Sequence, residues 1–419
     1  MGKEVLLLGR VAYFCMEYGL HEELPIYAGG LGILAGDYLK EAKGEQVPVV
    51  GIGILWRQDY TKQLIGEGGW PRDYYPTYDY DFVKDTGVRV KVRIRGIEVT
   101  CKVHLVDQYD NAPLYLLDAG LPGSQHGWMT AKLYGGADQD RIAQEIILGI
   151  GGVRALRALN IPVDCYHFNE GHAALAGLEL IREKMQEGSG FVEAWEKTRQ
   201  EVVFTTHTPV AAGNEEHSLG LLYHMEANNG LSYEEMRQIG GAPFNMTVAA
   251  LRLSTRANAV SKLHQKTARE MWRDVEGAAP IIAITNGVHQ ATWQDQRIRE
   301  VWEQGKDLWE AHQVLKKELM DFIRQETGYH LRDDVLTIGF ARRAAPYKRS
   351  ELIFRDMDSI RYLLKRRKVQ LVFSGKAHPD DYEGKKIIQE LVKMDRSYGD
   401  GVVFLENYDM ETARYLVRG

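Results

Sequence analysis

Cysteine is scarce: Cys15, Cys101 and Cys165 are the only three in 419 residues, and no two form a CxxC pair. That excludes a disulfide framework or a thiolate zinc site and suits a reducing cytosol. Long apolar runs are missing as well. No stretch approaches the roughly 20 apolar residues of a membrane helix. The opening MGKEVLLLGRVAYF has one lysine and a four-residue apolar run, too little for a secretory signal. A cytoplasmic location is the expectation. Neither charge sign is in large excess. A net charge of −6 creates no whole-molecule field that recruits nucleic acid or an acidic membrane. Internal repeats and low-complexity tracts are absent, as are a GxSxG elbow and a GxxxxGK[ST] phosphate loop.

What is present is a long alternation of apolar strands and helices. RVAYFCMEY reads as a strand, ILAGDYLKEAKGE as a helix, and VPVVGIGILW as a strand buried on both faces. Between Val88 and Arg95 apolar and polar residues alternate, the mark of antiparallel strands with one wet face. From Thr130 onward helices separate the short strands CYHFN, VVFTTH and IIAITNGVH, which indicates a parallel α/β sheet. A polar helical stretch reads as a connector over 307–334. The β-α-β pattern then restarts with VLTIGFA, VQLVFSGKAH and GVVFLENYD. The expected division is an α/β domain over 1–306 with an antiparallel insertion at about 85–118, the connector, and a partial Rossmann-like domain over 335–419. Only three strands of that last sheet are visible, whereas a doubly wound sheet usually has about six.

The polar residues gather at strand ends. GGLGILAG contains Gly30-x-Gly32-x-x-Ala35, close to a dinucleotide fingerprint. It does not follow a strand directly, and no acidic residue stands about 20 positions on, so an anion loop fits better than NAD. HFNEGH offers His167, Glu170 and His172, but in neither HExxH nor HxxEH spacing. A hydrogen-bonded cluster at the end of a parallel strand is therefore expected in preference to a metal. His207 and Asn286 follow two further strands, with Trp293 nearby. Neutral donors and acceptors beside an aromatic ring suit a sugar. GFARRAAPYKRS places Arg342, Arg343, Lys348 and Arg349 in one short loop after a strand. Crowded like charges call for an anion, and arginine forks fit phosphate oxygens.

In order along the chain, YFCMEYGLHEELPIYAGGLGILAGDYLK, YHFNEGHAAL, FTTHTPVAAG, ITNGVHQATW, GFARRAAPYKR, FSGKAHP and VVFLENYDM resemble the α-glucan phosphorylases, in their short bacterial and archaeal form. The resemblance covers nearly the whole chain. It implies an α/β fold of GT-B type, with two Rossmann-like domains facing across a cleft, the second only partly present. The implied reaction is retaining phosphorolysis of an α-1,4-glucan by inorganic phosphate, with pyridoxal phosphate as cofactor. Gly29, Gly30 and Gly32 would offer amides to substrate phosphate, while Glu170, His172, His207 and Asn286 would serve the glucosyl unit. Arg343 and Lys348 would grip substrate phosphate, and Arg342 and Trp293 would line the cofactor pocket. His207, Arg343 and Lys348 are the implied catalytic residues. Ala344 and Pro346 depart from the family pattern.

The family's Schiff-base lysine lies in an EASGT-type segment, and no lysine of these 419 residues occupies that motif. The isolated chain is therefore expected to lack turnover, with a complementing C-terminal fragment or a homo-oligomer as the protein partners the resemblance allows. Two alternatives stand beside this reading: a non-catalytic glucan-binding remnant, and a nucleotide-sugar transferase such as a glycogen synthase.

Overall fold

The computed structural model describes residues 9–210 and 214–419. The apolar run at the N-terminus and the end of THTPVAAG lie outside the described residues. The chain forms two compact units. One holds Leu24–Tyr60, Thr77–Val288 and the stretch up to Leu20. The other holds His21–Glu23, Thr61–Pro76 and His289–Gly419.

The first unit is built on a nine-stranded sheet. Its order is Ile281–Ala283, Arg256–Ala259, Val202–Thr206, Cys165–Asn169, Val11–Phe14, Val49–Ile54, Leu114–Asp118, Ile97–Val106 and Lys84–Ile94. Neighbours are parallel from the first of these through Leu114–Asp118. The last two strands run antiparallel, as their alternation predicts. In Lys84–Ile94, Val90, Val92 and Ile94 are buried while Arg89, Lys91 and Arg93 face solvent. Val49–Ile54 is buried throughout, which is why it reads as an unbroken apolar run.

The chain leaves Val11–Phe14 toward Val49–Ile54 on one side and later returns to place Cys165–Asn169 on the other. The order therefore reverses at the Val11–Phe14 strand. In open α/β sheets ligands bind at the carboxyl ends of strands at such a switch point.

In the second unit, Leu336–Ala341, Val369–Ser374 and Val402–Leu405 form a parallel sheet in that order. Alternate residues supply cores on both faces. Leu371, Phe373, Val402 and Phe404 pack with Ile360, Leu364 and Ile387, while Val372, Val403 and Leu405 pack with Leu319, Met320 and Ile323. The helix Leu308–Thr327, within the stretch that reads as a connector, supplies that second layer and is grouped with this unit. Among the described residues Leu336–Ala341 pairs on one side only, and Leu336 and Ile338 are 61% and 40% exposed. That open edge is where a doubly wound order adds its fourth strand.

Candidate active site

Three loops of the first unit meet the switch point. After Val11–Phe14 the chain passes through Glu17 and enters the helix Gly30–Gly44. Glu17 is buried, and its Oε2 accepts from the Ala28 and Gly29 amides at 2.7 and 3.1 Å. The Gly32 amide also donates to this carboxylate, and Tyr134 Oη donates to its Oε1 at 2.8 Å. Burial pushes the Glu17 carboxyl above its ordinary range, and these donors pull against the shift.

The glycines thereby divide into two kinds. A Cβ on Gly32 would stand 2.5 Å from Tyr27 Cβ, and one on Gly36 would stand 2.0 Å from the Gly19 carbonyl oxygen. These two let the helix seat closely. Gly29 and Gly30 are exposed with open space around them. Since the Gly29 and Gly32 amides already serve Glu17, the first-turn amides left for an anion are those of Gly30 and Leu31.

The second loop follows Cys165–Asn169. Glu170 has φ +68° and ψ 170°, a conformation almost confined to glycine. Its own amide donates to the Thr205 carbonyl at 2.9 Å. Its Oε1 accepts from the His207 amide at 2.7 Å and from Thr208 Oγ1 at 2.9 Å. Its Oε2 accepts from the Gly171 amide at 3.3 Å. This one carboxylate thus ties the second loop to the third, which follows Val202–Thr206 and carries His207.

The imidazole of His207 is held in one tautomer. Asn169 Nδ2 donates to Cys15 Sγ at 3.3 Å, so Asn169 Oδ1 is the acceptor facing His207 Nε2 at 2.6 Å. The ring proton therefore sits on Nε2. Burial, with His264 nearby, pushes the His207 pKa down to about 4, so the ring is neutral at pH 7. His167 is held in the same way. Thr205 Oγ1 donates to Asn258 Oδ1 at 2.7 Å and must accept from His167 Nε2 at 2.7 Å. Burial takes His167 to about 4 as well. The result is a set of neutral, oriented donors and acceptors, suited to hydroxyl groups.

The other predicted residues of this unit lie further out. His172 turns away from the loop toward Tyr134, with ring centroids 5.6 Å apart, and toward Glu215 at 3.9 Å. Burial, with Arg141 beside it, lowers its pKa. Asn286 is exposed beyond the end of the sheet's outermost parallel strand, and its amide donates to the Val260 carbonyl at 3.2 Å. One strand intervenes between its own and that of His207, which puts the two strands roughly 10 Å apart.

In the second unit the cation loop follows Leu336–Ala341. Buried Ala344 and Ala345 anchor it, the Ala344 amide donating to the Lys376 carbonyl at 2.9 Å and the Arg342 amide to that of Ser374 at 3.2 Å. Pro346 opens the single 3-10 turn Pro346–Lys348, where its missing N–H has no role to fill, and extended Ala345 before it meets proline's demand. Arg349, at φ +57°, ends the turn. The proline that departs from the family pattern therefore shapes the loop without strain.

Arg342, Arg343 and Arg349 are exposed, and Lys348 is half-buried. Arg343 Nη2 donates to Tyr347 Oη at 3.2 Å, and Lys348 Nζ lies 4.6 Å from the Tyr347 ring centre. Burial raises the Tyr347 hydroxyl pKa, but the two cations outweigh it and the net shift is downward. Among the described residues none of the four cations is ion-paired with a carboxylate. Trp293 ends the helix Gln290–Trp293, and its carbonyl accepts from Arg418 Nε at 3.1 Å.

Glu17, Asn169, Thr205 and Asn258 escaped the reading of the sequence. Glu17 and Asn169 stand at strand ends, where an acid or amide is itself a signal. Thr205 and Asn258 are legible only from strand pairing.

No protein-family profile matches the chain. Whole-sequence comparison does find relatives. The chain is 36% identical over 467 residues to the maltodextrin phosphorylase of Thermococcus litoralis, covering 98% of this chain and 56% of that protein. It is 36% identical over 488 residues to the glycogen phosphorylase of Mycobacterium tuberculosis, again covering 98% and 56%. With the glycogen phosphorylase of Aquifex aeolicus it shares 32% identity over 478 residues, covering 98% of this chain and 68% of that protein. The chain thus spans little more than half the length of the first two relatives.

Proposed function

Because this chain belongs to the glycogen and maltodextrin phosphorylase family, we propose that it serves phosphorolysis of α-1,4-glucans to glucose 1-phosphate, with retention at the anomeric carbon. Its α/β units with parallel sheets are of the GT-B type. His207, Glu170 and Asn169 form the glucosyl-binding set: the carboxylate fixes the loop, and the neutral imidazole stays available to hydroxyls near pH 7. Asn286 adds an outlying hydroxyl contact, and His172 supports the set from behind. The Gly30 and Leu31 amides stand at a helix N-terminus, a natural anion seat.

The observation that carries the proposal is the second unit's loop of four cations, none paired with an acid among the described residues. Arg343 and Lys348 bind substrate phosphate there, and Arg342 would hold the cofactor phosphate, with Trp293 packing against the cofactor. Pyridoxal phosphate, when bound, supplies a second phosphate that acts as an acid toward the first. Two phosphates held close together need concentrated positive charge, and such electrostatic stabilisation is commonly the largest catalytic effect. The residues present therefore fit the cofactor's phosphate. Covalent attachment is assigned to no lysine here, and the 419 residues taken alone are expected to bind without turning over.

A fourth strand would add beside Leu336–Ala341, which makes a C-terminal segment the complementing partner of choice. The test is protection against thermal unfolding. Inorganic phosphate with maltodextrin should raise the midpoint, and ADP-glucose should not. Protection by ADP-glucose alone would point to a nucleotide-sugar transferase. Release of glucose 1-phosphate by the 419 residues with added pyridoxal phosphate would overturn the requirement for a further segment.

A further inference from the structure

Behind the switch-point loops lies a second polar cluster that the glucosyl-binding set does not use. Glu145, on the helix Asp138–Ile146, is 0% exposed, and among the described residues neither of its carboxylate oxygens has a partner of good hydrogen-bond geometry. His217, in the short strand Glu216–His217, is 3% exposed, and among the described residues neither ring nitrogen has a partner of good hydrogen-bond geometry. Its Nε2 stands 3.3 Å from Glu145 Oε2 and 3.8 Å from Glu215 Oε1. One ligand atom from each of these three residues falls within 4.8 Å of the other two.

Two fully buried side chains with unmet polar atoms, aimed at one another, are costly unless something joins them. We infer that Glu145, Glu215 and His217 bind one divalent transition-metal ion of the zinc class. Tetrahedral bonds of about 2.0–2.1 Å place neighbouring ligand atoms about 3.3–3.4 Å apart, close to the spacing around His217 Nε2. One imidazole with two carboxylates suits zinc, and a lone imidazole selects against magnesium.

The surroundings suit a metal centre. Arg141 forks onto Glu215, with Nε to Oε1 at 3.0 Å and Nη2 to Oε2 at 2.8 Å, and so fixes that ligand's orientation. His172 Nε2 lies 3.9 Å from Glu215 Oε2, so water or His172 completes a four-coordinate shell. The ion would join the Asp138–Ile146 helix to the segment beyond His207, next to the loop that carries Glu170. Its role is to position that wall, and the inference stands whether or not the chain acts on glucans.

The test uses the purified chain, dialysed against a chelator and titrated with Zn²⁺, Co²⁺ and Mg²⁺ by calorimetry and visible absorption. One Zn²⁺ per chain is expected, and Co²⁺ should give a d–d band that Zn²⁺ abolishes. Mg²⁺ in excess should not compete. Glu145→Gln keeps the shape of the side chain and His217→Gln keeps a polar one. Each should weaken Zn²⁺ binding at least tenfold while the far-ultraviolet dichroism stays native. If native chain takes up no Zn²⁺, or both folded variants bind as tightly as it does, the cluster is a proton-sharing carboxyl pair and the inference fails.

Discussion

Replacing Glu170 by glutamine, glycine and alanine separates backbone strain from side-chain hydrogen bonding at the switch-point loop. Alanine removes the acceptor for the His207 amide at 2.7 Å and Thr208 Oγ1 at 2.9 Å, and the weaker one for Gly171 at 3.3 Å. Leaving such donors unmet near a buried site costs about 2–4 kcal/mol in all. Glycine loses the same bonds but relaxes the φ +68°, ψ 170° backbone, which recovers about 1–3 kcal/mol. Its greater freedom when unfolded returns about 0.5–1 kcal/mol of that gain. The glycine variant should therefore be more stable than the alanine variant by about 1 kcal/mol. At an ordinary backbone position glycine would be the worse of the two. Glutamine keeps an oxygen for both His207 and Thr208 but turns its amide nitrogen toward Gly171, losing that weak bond and the charge assistance, about 1 kcal/mol. Urea unfolding followed by tryptophan fluorescence should rank the proteins wild type, glutamine, glycine, alanine. An alanine variant as stable as the glycine variant, or more so, would refute the claim that this loop is strained and held by its carboxylate.

Acid should weaken the first unit through its histidines. Burial lowers the His207 and His167 pKa values to about 4, below the ordinary 6.5, so between those pH values the unfolded chain binds more protons than the folded one. Stability then rises with pH through that window and falls as pH drops from 6.5 toward 4, by at most about 1.4 kcal/mol per pH unit for each ring. Melting curves at pH 7, 6 and 5 should show this slope, and His207→Asn should flatten it; an unchanged slope would contradict the assignment. Gly36→Ala should cost about 3 kcal/mol, because its Cβ would stand 2.0 Å from the Gly19 carbonyl oxygen and the backbone must move. Gly30→Ala meets nothing within 4 Å and should leave the unfolding midpoint unchanged or raised. It should nevertheless weaken phosphate binding if the Gly30 amide is a donor.

Much of the fold was legible because burial leaves a local signature. Val88–Arg95 alternates since one face is wet, and Val49–Ile54 is apolar throughout since both faces are dry. His167, Glu170 and His207 were visible at strand ends for the same reason, set sharply against apolar runs. The order of strands was not, because it depends on which distant segments pair. The switch point beside Val11–Phe14, and with it the meeting of Glu170, Asn169 and His207, emerges only from that order. The hairpin of Lys62–Ile65 and Pro71–Tyr74 is another case. It belongs to the second unit through Lys385 Nζ to Asp73 Oδ2 at 2.5 Å and the Ala377 amide to Gln63 Oε1 at 2.9 Å. Contacts across some 310 residues of chain leave no periodicity in the sequence. The cation loop was legible as an excess of charge; that it has no acidic partner among the described residues is a fact of the folded chain.

The central claim is that this loop grips a phosphate, and calorimetric titration of the chain with glucose 1-phosphate tests it most directly. Binding should be measurable at low salt and weaken as ionic strength rises, as expected for exposed cations. It should fall at least tenfold in Arg343→Ala and in Lys348→Ala, while Arg366→Ala, at an exposed position just beyond the helix Met357–Lys365, should leave it unchanged. No binding by the native chain, or equal binding by all three variants, would contradict the account.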